Sequence, residues 1–377
     1  MSRALAADEA IAKAVEIAGC SDFGAAGFRA GLERSLNAFE RLPLTCKARQ
    51  SAFDKVVHDL VTRLRIEEWY RTHPGIDAKP VEGPIFVLGL PRTGTTATLG
   101  MLALDERLRF LRGWEGMAPM PPPVAGQEDL DPRVIAARAR AGDYAKPHIH
   151  LSDPDGPEED LVFLAGLDMH AYHGAYPMPD DYLAWWIAED FKSTYAYHER
   201  VLQLLQSRRP PHLWLLKSPP HLFRLDAIVR RYPNARFVMT HRDPLKVIPS
   251  VASLSYVLHT ERCVPDSINK QELGPRLLRF WSEGMRRALA ARAAIGEHRF
   301  VDLKNADVID RPLEVFERIY AHIGMTLTPD LERRLKHYSD TKAPGAFGAH
   351  RYTLEEYGLT AEGIRFAFKD YIDTFAP

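Results

Sequence analysis

The 377-residue chain sets 49 Lys+Arg against 50 Asp+Glu, a formal net charge of −1, with 46% hydrophobic and 26% charged residues. This is the composition of a soluble globular protein with a sizeable core, long enough for one large α/β unit with additions or for two ordinary domains. The balanced charge argues against a general nucleic-acid binder, which needs a basic excess to neutralise backbone phosphates.

The first residues, MSRALAADEAIAKAVEIAGC, scatter acids among apolar side chains and have no continuous apolar core, so they do not read as a secretory signal. No stretch approaches the roughly 20 apolar residues needed to cross a bilayer. Cys20, Cys46 and Cys263 match no metal or disulfide spacing. These readings predict a cytoplasmic protein. Residues 5–73 place apolar side chains three and four apart, as in AGLERSLNAFERL and RQSAFDKVVHDLVTRLRIEEWYRTH, which predicts helices. Residues 1–80 are therefore expected to form a helical N-terminal extension to an α/β domain spanning 81–377.

Next, PIFVL is a continuous apolar run, the mark of a strand buried on both faces. It leads into GLPRTGTT at 89–96 and then a predicted helix, TTATLGMLALDERL. Strand, glycine loop and helix in that order aim a helix N-terminus at an anion. Gly89 and Gly94 allow close backbone approach, Thr95 and Thr96 offer hydroxyls, and Arg92 brings positive charge. Thr95 stands where a nucleoside triphosphatase carries its loop lysine, which weakens the case for ATP or GTP. The bland alternative is a tight turn with no ligand.

After the rigid APMPPPVAG comes an aromatic-rich segment, and 116–210 is expected to be a mainly helical insertion. Trp185, Trp186, Tyr195 and Tyr197 have core burial as their default. His148 and His150 sit among acids in KPHIHLSDPDGPEED, but alternating histidines in a polar loop more often face solvent than bind metal. HLWLLKS, HLFRLDAIVRRY and ARFVMTHRDP then read as strand, helix and strand, a βαβ unit with a right-handed crossover. HRFVDLKN adds a further strand and PLEVFERIYAHIGM a helix. The fold expected is α/β: a parallel sheet flanked by helices, P-loop-like, with the helical extension in front.

Arg242 ends a strand, where open α/β sheets place ligands. Asp243 suits an N-cap and Pro244 the first helical position. Ser250 follows Arg242 by eight residues, so guanidinium and hydroxyl can share one phosphate. The alternative for Arg242 is a surface salt bridge. With these motifs together, PRTGTT, LLKSP and HRDP, the chain resembles the sulfotransferases that use 3′-phosphoadenosine 5′-phosphosulfate (PAPS), in particular the bacterial branch. The resemblance covers roughly residues 84–360, including HRYTLEEYGL.

It implies that Arg92, Thr93, Gly94, Thr95 and Thr96 bind the 5′-phosphosulfate and that Arg242 and Ser250 bind the 3′-phosphate. The product left would be adenosine 3′,5′-bisphosphate (PAP), and no metal would be required. Lys217 matches the family's lysine near the leaving oxygen. Where the animal cytosolic branch carries a catalytic histidine, this chain has Pro219. Two residues compete to be the base: His221, two positions on, and Glu115, nineteen residues after Thr96. Other branches place a glutamate at a similar distance, and a carboxyl desolvated beside Trp114 would have a raised pKa, so Glu115 is preferred. The cytosolic branch's adenine-stacking tryptophan is replaced by Ala97; Tyr352 is the substitute candidate, with Arg351 for the 3′-phosphate. The expected acceptor offers a hydroxyl or amine on a small molecule such as an alcohol, phenol, lipid or sugar, with the 116–210 insertion on the acceptor side, and a homo-oligomer is compatible with the sequence. A kinase and a non-catalytic nucleotide-fold interaction protein are the rival readings; the kinase would need the missing loop lysine.

Overall fold

Ile85–Leu88 is apolar at every position, and all four residues are buried at the centre of a parallel sheet. The computed structural model describes residues 6–140, 153–210, 212–341 and 352–377. Helices α1 (Ala7–Ala18), α2 (Phe28–Arg41) and α3 (Cys46–Thr72) precede β1 (Ile85–Leu88). Then come α4 (Thr95–Leu102), β2 (Leu108–Phe110), α5 (Gly113–Met117), α6 (Pro132–Arg140), α7 (Asp160–Leu167), α8 (Asp180–Ala188) and α9 (Lys192–Gln206). The remaining strands are β3 (Leu213–Lys217), β4 (Arg236–His241) and β5 (Phe300–Lys304). Between β3 and β4 lies α10 (Leu225–Arg231), and between β4 and β5 lie α11 (Pro244–Thr260) and α12 (Lys270–Ile295). Beyond β5 are α13 (Asn305–Asp310), α14 (Pro312–Ile323), α15 (Pro329–Thr341), α16 (Ala361–Ala367) and α17 (Lys369–Phe375).

The strands run in the order β2-β3-β1-β4-β5, all parallel. From β1 the chain crosses outward to β2, returns to β3, and then passes over β1 to β4. The order therefore reverses between β1 and β4, and crevices for ligands open at the carboxyl ends of strands at such a point. Leu88 pairs with Met239, which sets the glycine loop beside Thr240–Arg242. The period-two alternation of strands splits the core. Ile85, Val87, Val238 and Leu303 join α14 residues such as Phe316 and Ile319 on one face. Phe86, Leu88, Phe237 and Met239 join residues of α3, α7 and α9 on the other. Helices α1–α3 thus share a hydrophobic cluster with the sheet.

The helix expected from TTATLGMLALDERL is shorter than the pattern suggests. Asp105 closes a turn, accepting from the backbone N of Arg107 at 2.9 Å and from the Tyr320 hydroxyl at 2.6 Å. That turn frees Leu108–Phe110 to add the edge strand β2.

Candidate active site

The loop after β1 is braced from both sides. The Thr93 hydroxyl donates to Leu90 O at 2.6 Å and lies 2.7 Å from Thr240 Oγ1, so it ties the loop to β4. Asn305 Nδ2, at the end of β5, donates to Thr93 O at 3.1 Å. Gly94 has φ 96°, and a Cβ there would meet Asn305 Nδ2 at 2.5 Å. Only glycine adopts that conformation freely and leaves that space. Gly94 caps α4, whose first-turn amides have no intrahelical partner. Thr95 is buried and Thr96 exposed at this turn.

Arg92 also has positive φ, 69°, which costs a non-glycine residue about 1–2 kcal/mol. Its contacts hold it there: Nε donates to Ser250 Oγ at 3.2 Å, and its carbonyl accepts from Arg242 Nη1 at 2.9 Å. Arg242, Ser250 and the glycine loop therefore meet at the β1/β4 crevice. Asp243 caps α11 through Leu245 N, with Pro244 at its first position, as expected. Among the described residues neither Arg92 nor Arg242 is paired with a carboxylate, so the surface salt bridge does not form. Two guanidiniums without acids beside helix amides that lack intrahelical partners have the chemistry to hold an anion.

Lys217 ends β3 with its side chain only 2% exposed. Its Nζ donates to Glu159 Oε1 at 2.7 Å and to Thr96 Oγ1 at 3.3 Å. Its backbone N donates to Asp160 Oδ1 at 2.7 Å. Asp160 opens α7 and is fully enclosed, with His198 Nε2 and His221 Nε2 each 2.9 Å from Oδ2. Burial opposes its charge, but the two imidazoles and their hydrogen bonds hold its carboxyl far below the usual range. Burial pushes His198 down despite the acid. Asp160 thereby fixes the preceding residue, Glu159, against the ammonium. The Ser218 hydroxyl also reaches Glu159, at 3.3 Å.

Neither residue proposed as base from sequence meets Lys217 in this way. Glu115 is 0% exposed. Its oxygens accept from Arg109 Nη1 and Nη2 at 3.0 and 2.7 Å and from Arg112 N at 3.1 Å, a buried capping box. The carboxylate is a brace within α5: Arg112 bridges Pro157, two residues before Glu159. His221 is equally enclosed, its Nδ1 2.7 Å from the Tyr195 hydroxyl and its Nε2 on Asp160. With both ring nitrogens engaged, it has no free lone pair for a substrate proton. Thr93 turns its hydroxyl into the scaffold, leaving its backbone to the loop. Tyr352 packs half-buried against the core; Arg351, His148 and His150 lie outside the described residues. Among the described residues no group of three or more His, Cys, Asp or Glu is arranged for a metal. No described helix is long and apolar enough to span a membrane.

Glu159 was hidden in sequence by its polar setting, GPEEDLVFLAGL; the usable signal was a set of acids directly before an apolar helix, a helix-start pattern. It lines a largely apolar cavity of about 560 Å³, as do Pro91, Pro219 and Pro220. Phe39 of α2 and Val56 of α3 line it too, with Tyr172, Met169 and Leu254. The N-terminal helices therefore form one wall, a role their amphipathic pattern does not disclose. Trp186, Tyr195 and Tyr197 are core residues. The aromatics that line the cavity are Phe39, Tyr172, His173, Tyr176 and Trp281. Burial, with Lys55 adding, pushes His173 down to about 3, so its imidazole stays neutral.

A sequence profile of the sulfotransferase family matches residues 84–329. The omega-hydroxy-beta-dihydromenaquinone-9 sulfotransferase Stf3 of Mycobacterium tuberculosis is 26% identical over 290 residues, covering 74% of this chain and 72% of that protein. The crystal structure of sulfotransferase STF9 from Mycobacterium avium superposes with a TM-score of 0.91 at 31% identity, covering 100% of this chain and 98% of its own. That of STF1 from M. tuberculosis gives 0.84 at 29% identity, covering 98% and 100%.

Proposed function

This chain belongs to the sulfotransferase family, and we propose that it moves a sulfuryl group from PAPS to the hydroxyl of an apolar acceptor held in the cavity that Glu159 lines. One observation carries the reading: Lys217 Nζ bridges the Thr96 hydroxyl, at the glycine loop, and the Glu159 carboxylate, in the cavity wall. Donor and acceptor sides meet at that ammonium.

The donor-side residues suit the ligand. Arg92, the first-turn amides of α4 and the Thr95 and Thr96 hydroxyls would hold the 5′-phosphosulfate, while Arg242 and Ser250 would hold the 3′-phosphate. The donor supplies an activated sulfur bonded to a phosphate oxygen. Glu159 accepts the acceptor's hydroxyl proton as the new oxygen–sulfur bond forms and the sulfur–phosphate bond breaks. Lys217 donates to the leaving oxygen, where negative charge grows, and the enclosed setting strengthens that interaction. Asp160 acts through Lys217 and Glu159 by positioning them. Transfer of this kind depends chiefly on alignment and charge stabilisation, which two fixed neighbours of one lysine provide.

The cavity's proline, valine and aromatic lining favours an apolar body with its hydroxyl at Glu159. An ω-hydroxylated menaquinone, the acceptor in the name of the mycobacterial relatives, is of that class. The test combines thermal shift with mass spectrometry. PAP at 100 times its dissociation constant should stabilise the fold by about 2.7 kcal/mol, while ATP with magnesium should not. A panel of apolar alcohols with PAPS should yield a sulfated product. Stabilisation by ATP alone would instead favour a kinase.

A further inference from the structure

One charged pair interrupts the apolar wall of the cavity. Lys55 and Asp59, one turn apart on α3, both line it, with Lys55 Nζ 2.6 Å from each Asp59 oxygen. Asp59 is 7% exposed, unusual for an acid beside valine and methionine side chains, while the Lys55 side chain is half open to solvent at the cavity's edge. Asp59 is pressed against α7: a Cβ on Gly166 would meet Asp59 Oδ2 at 3.0 Å and Lys55 Nζ at 3.7 Å. Gly166 lies on the same face of α7 as Glu159 and Val162, and all three line the cavity. Gly166 follows Glu159, the residue that precedes α7, by seven positions, about 10 Å along the axis. Between them the wall is apolar: Val162 on α7 and Val56 on α3.

The geometry points to Lys55 and Asp59 as a second polar subsite that selects acceptors carrying a hydroxyl or carbonyl oxygen about 10 Å from the hydroxyl that receives the sulfuryl group. An ammonium has three donors, and Asp59 has only two oxygens to engage them. One N–H remains for a ligand oxygen, and Asp59 can in turn accept from a ligand hydroxyl. The pair holds its charge without a free ion in the cavity, so a neutral oxygen is the matching partner. This subsite deepens the proposed function and rests on the cavity being the acceptor pocket.

The experiment uses a series of straight-chain mono-alcohols and α,ω-diols of increasing length, with PAPS and the whole chain. KM for the diols should reach a minimum at the length that spans about 10 Å, at least about tenfold below the matched mono-alcohol, the scale of one hydrogen bond to a charged group. In the double variant Lys55→Met/Asp59→Leu the ratio should fall to near one, whereas Lys55→Arg should retain it. Thermal stabilisation by PAP serves as the folding check on each variant. No diol preference at any length, or a preference that survives the double variant, overturns the subsite. If nothing is sulfated, the proposed function fails, and thermal shift with the same alcohol pairs still decides whether the subsite exists.

Discussion

The ammonium of Lys217 lies 2.7 Å from Glu159 Oε1, and the same lysine's backbone N lies 2.7 Å from Oδ1 of the adjacent Asp160. Two consecutive acids thus grip one residue at both ends, and a buried histidine pair fixes the second acid. This carboxylate in the cavity wall is held in place by the protein's own contacts, which is what the proposed proton transfer at a fixed distance requires.

Glu159→Gln keeps the side chain's size and removes the basic oxygen. We expect kcat to fall by about 10²- to 10⁴-fold, the usual contribution of a positioned base, with PAP affinity little changed. Rapid-quench turnover alongside PAP titration checks this. Full turnover in the variant would remove Glu159 from the chemistry.

Glu115→Gln should act on stability. It leaves the Arg109 guanidinium, itself nearly enclosed over Trp214, without its charged partner, and breaking one side of a buried pair costs about 3–5 kcal/mol. The urea midpoint should drop with an unchanged slope, and turnover per folded molecule should hold. Lost turnover at full stability would restore Glu115 as a catalytic candidate.

Arg242→Ala should weaken PAP binding by about 1.5–3 kcal/mol, the range for a hydrogen bond to a charged group, by isothermal titration. Because Arg242 also donates to the Arg92 carbonyl, part of that loss will come from a looser loop. An unchanged affinity would mean that the 3′-phosphate is held elsewhere.

Stability should depend on pH through His259, which is 4% exposed with Nδ1 unpartnered. Burial, with Arg276 and Arg262 adding and the Gly174 carbonyl opposing, pushes it down to about 4. The unfolded chain binds its proton below about 6.5. Between these values only the unfolded state is protonated, so this contribution is full above about pH 6.5 and is lost as pH falls toward 4. Asp160 titrates lower still and contributes in the same direction only in more acid solution. Urea midpoints from pH 4 to 7 should show a shallower slope in His259→Leu, and a parallel curve would exclude this histidine.

The sheet was legible in the sequence because continuous apolar runs such as IFVL and LWLLK have few other places to go. The anion loop and Arg242 were legible because each sits directly after such a run. The carboxylate proposed as base was not. Spacing from the loop pointed to Glu115, yet Glu115 braces a turn, and the carboxylate beside Lys217 caps α7, an element packed on α3, α9 and β3. Proximity of that kind is a tertiary property with no local period. The cavity wall supplied by α2 and α3 was hidden for the same reason, since an amphipathic stripe says which face is buried but not against what.

Gly94→Ala separates two reasons for the loop's glycine. One is conformational: φ of 96° costs any residue with a Cβ about 1–2 kcal/mol. The other is steric: the new methyl would strike Asn305 Nδ2, which itself holds Thr93 O. Gly94→Ala should therefore weaken PAP binding by roughly 5- to 30-fold, since each 1.4 kcal/mol is a factor of ten. Removing the obstacle in Gly94→Ala/Asn305→Ala relieves the clash alone, leaving the dihedral strain and taking away the brace on Thr93. The double variant should bind no better than Gly94→Ala, by titration with PAP. Full recovery would show that space, and not backbone conformation, requires the glycine at this turn.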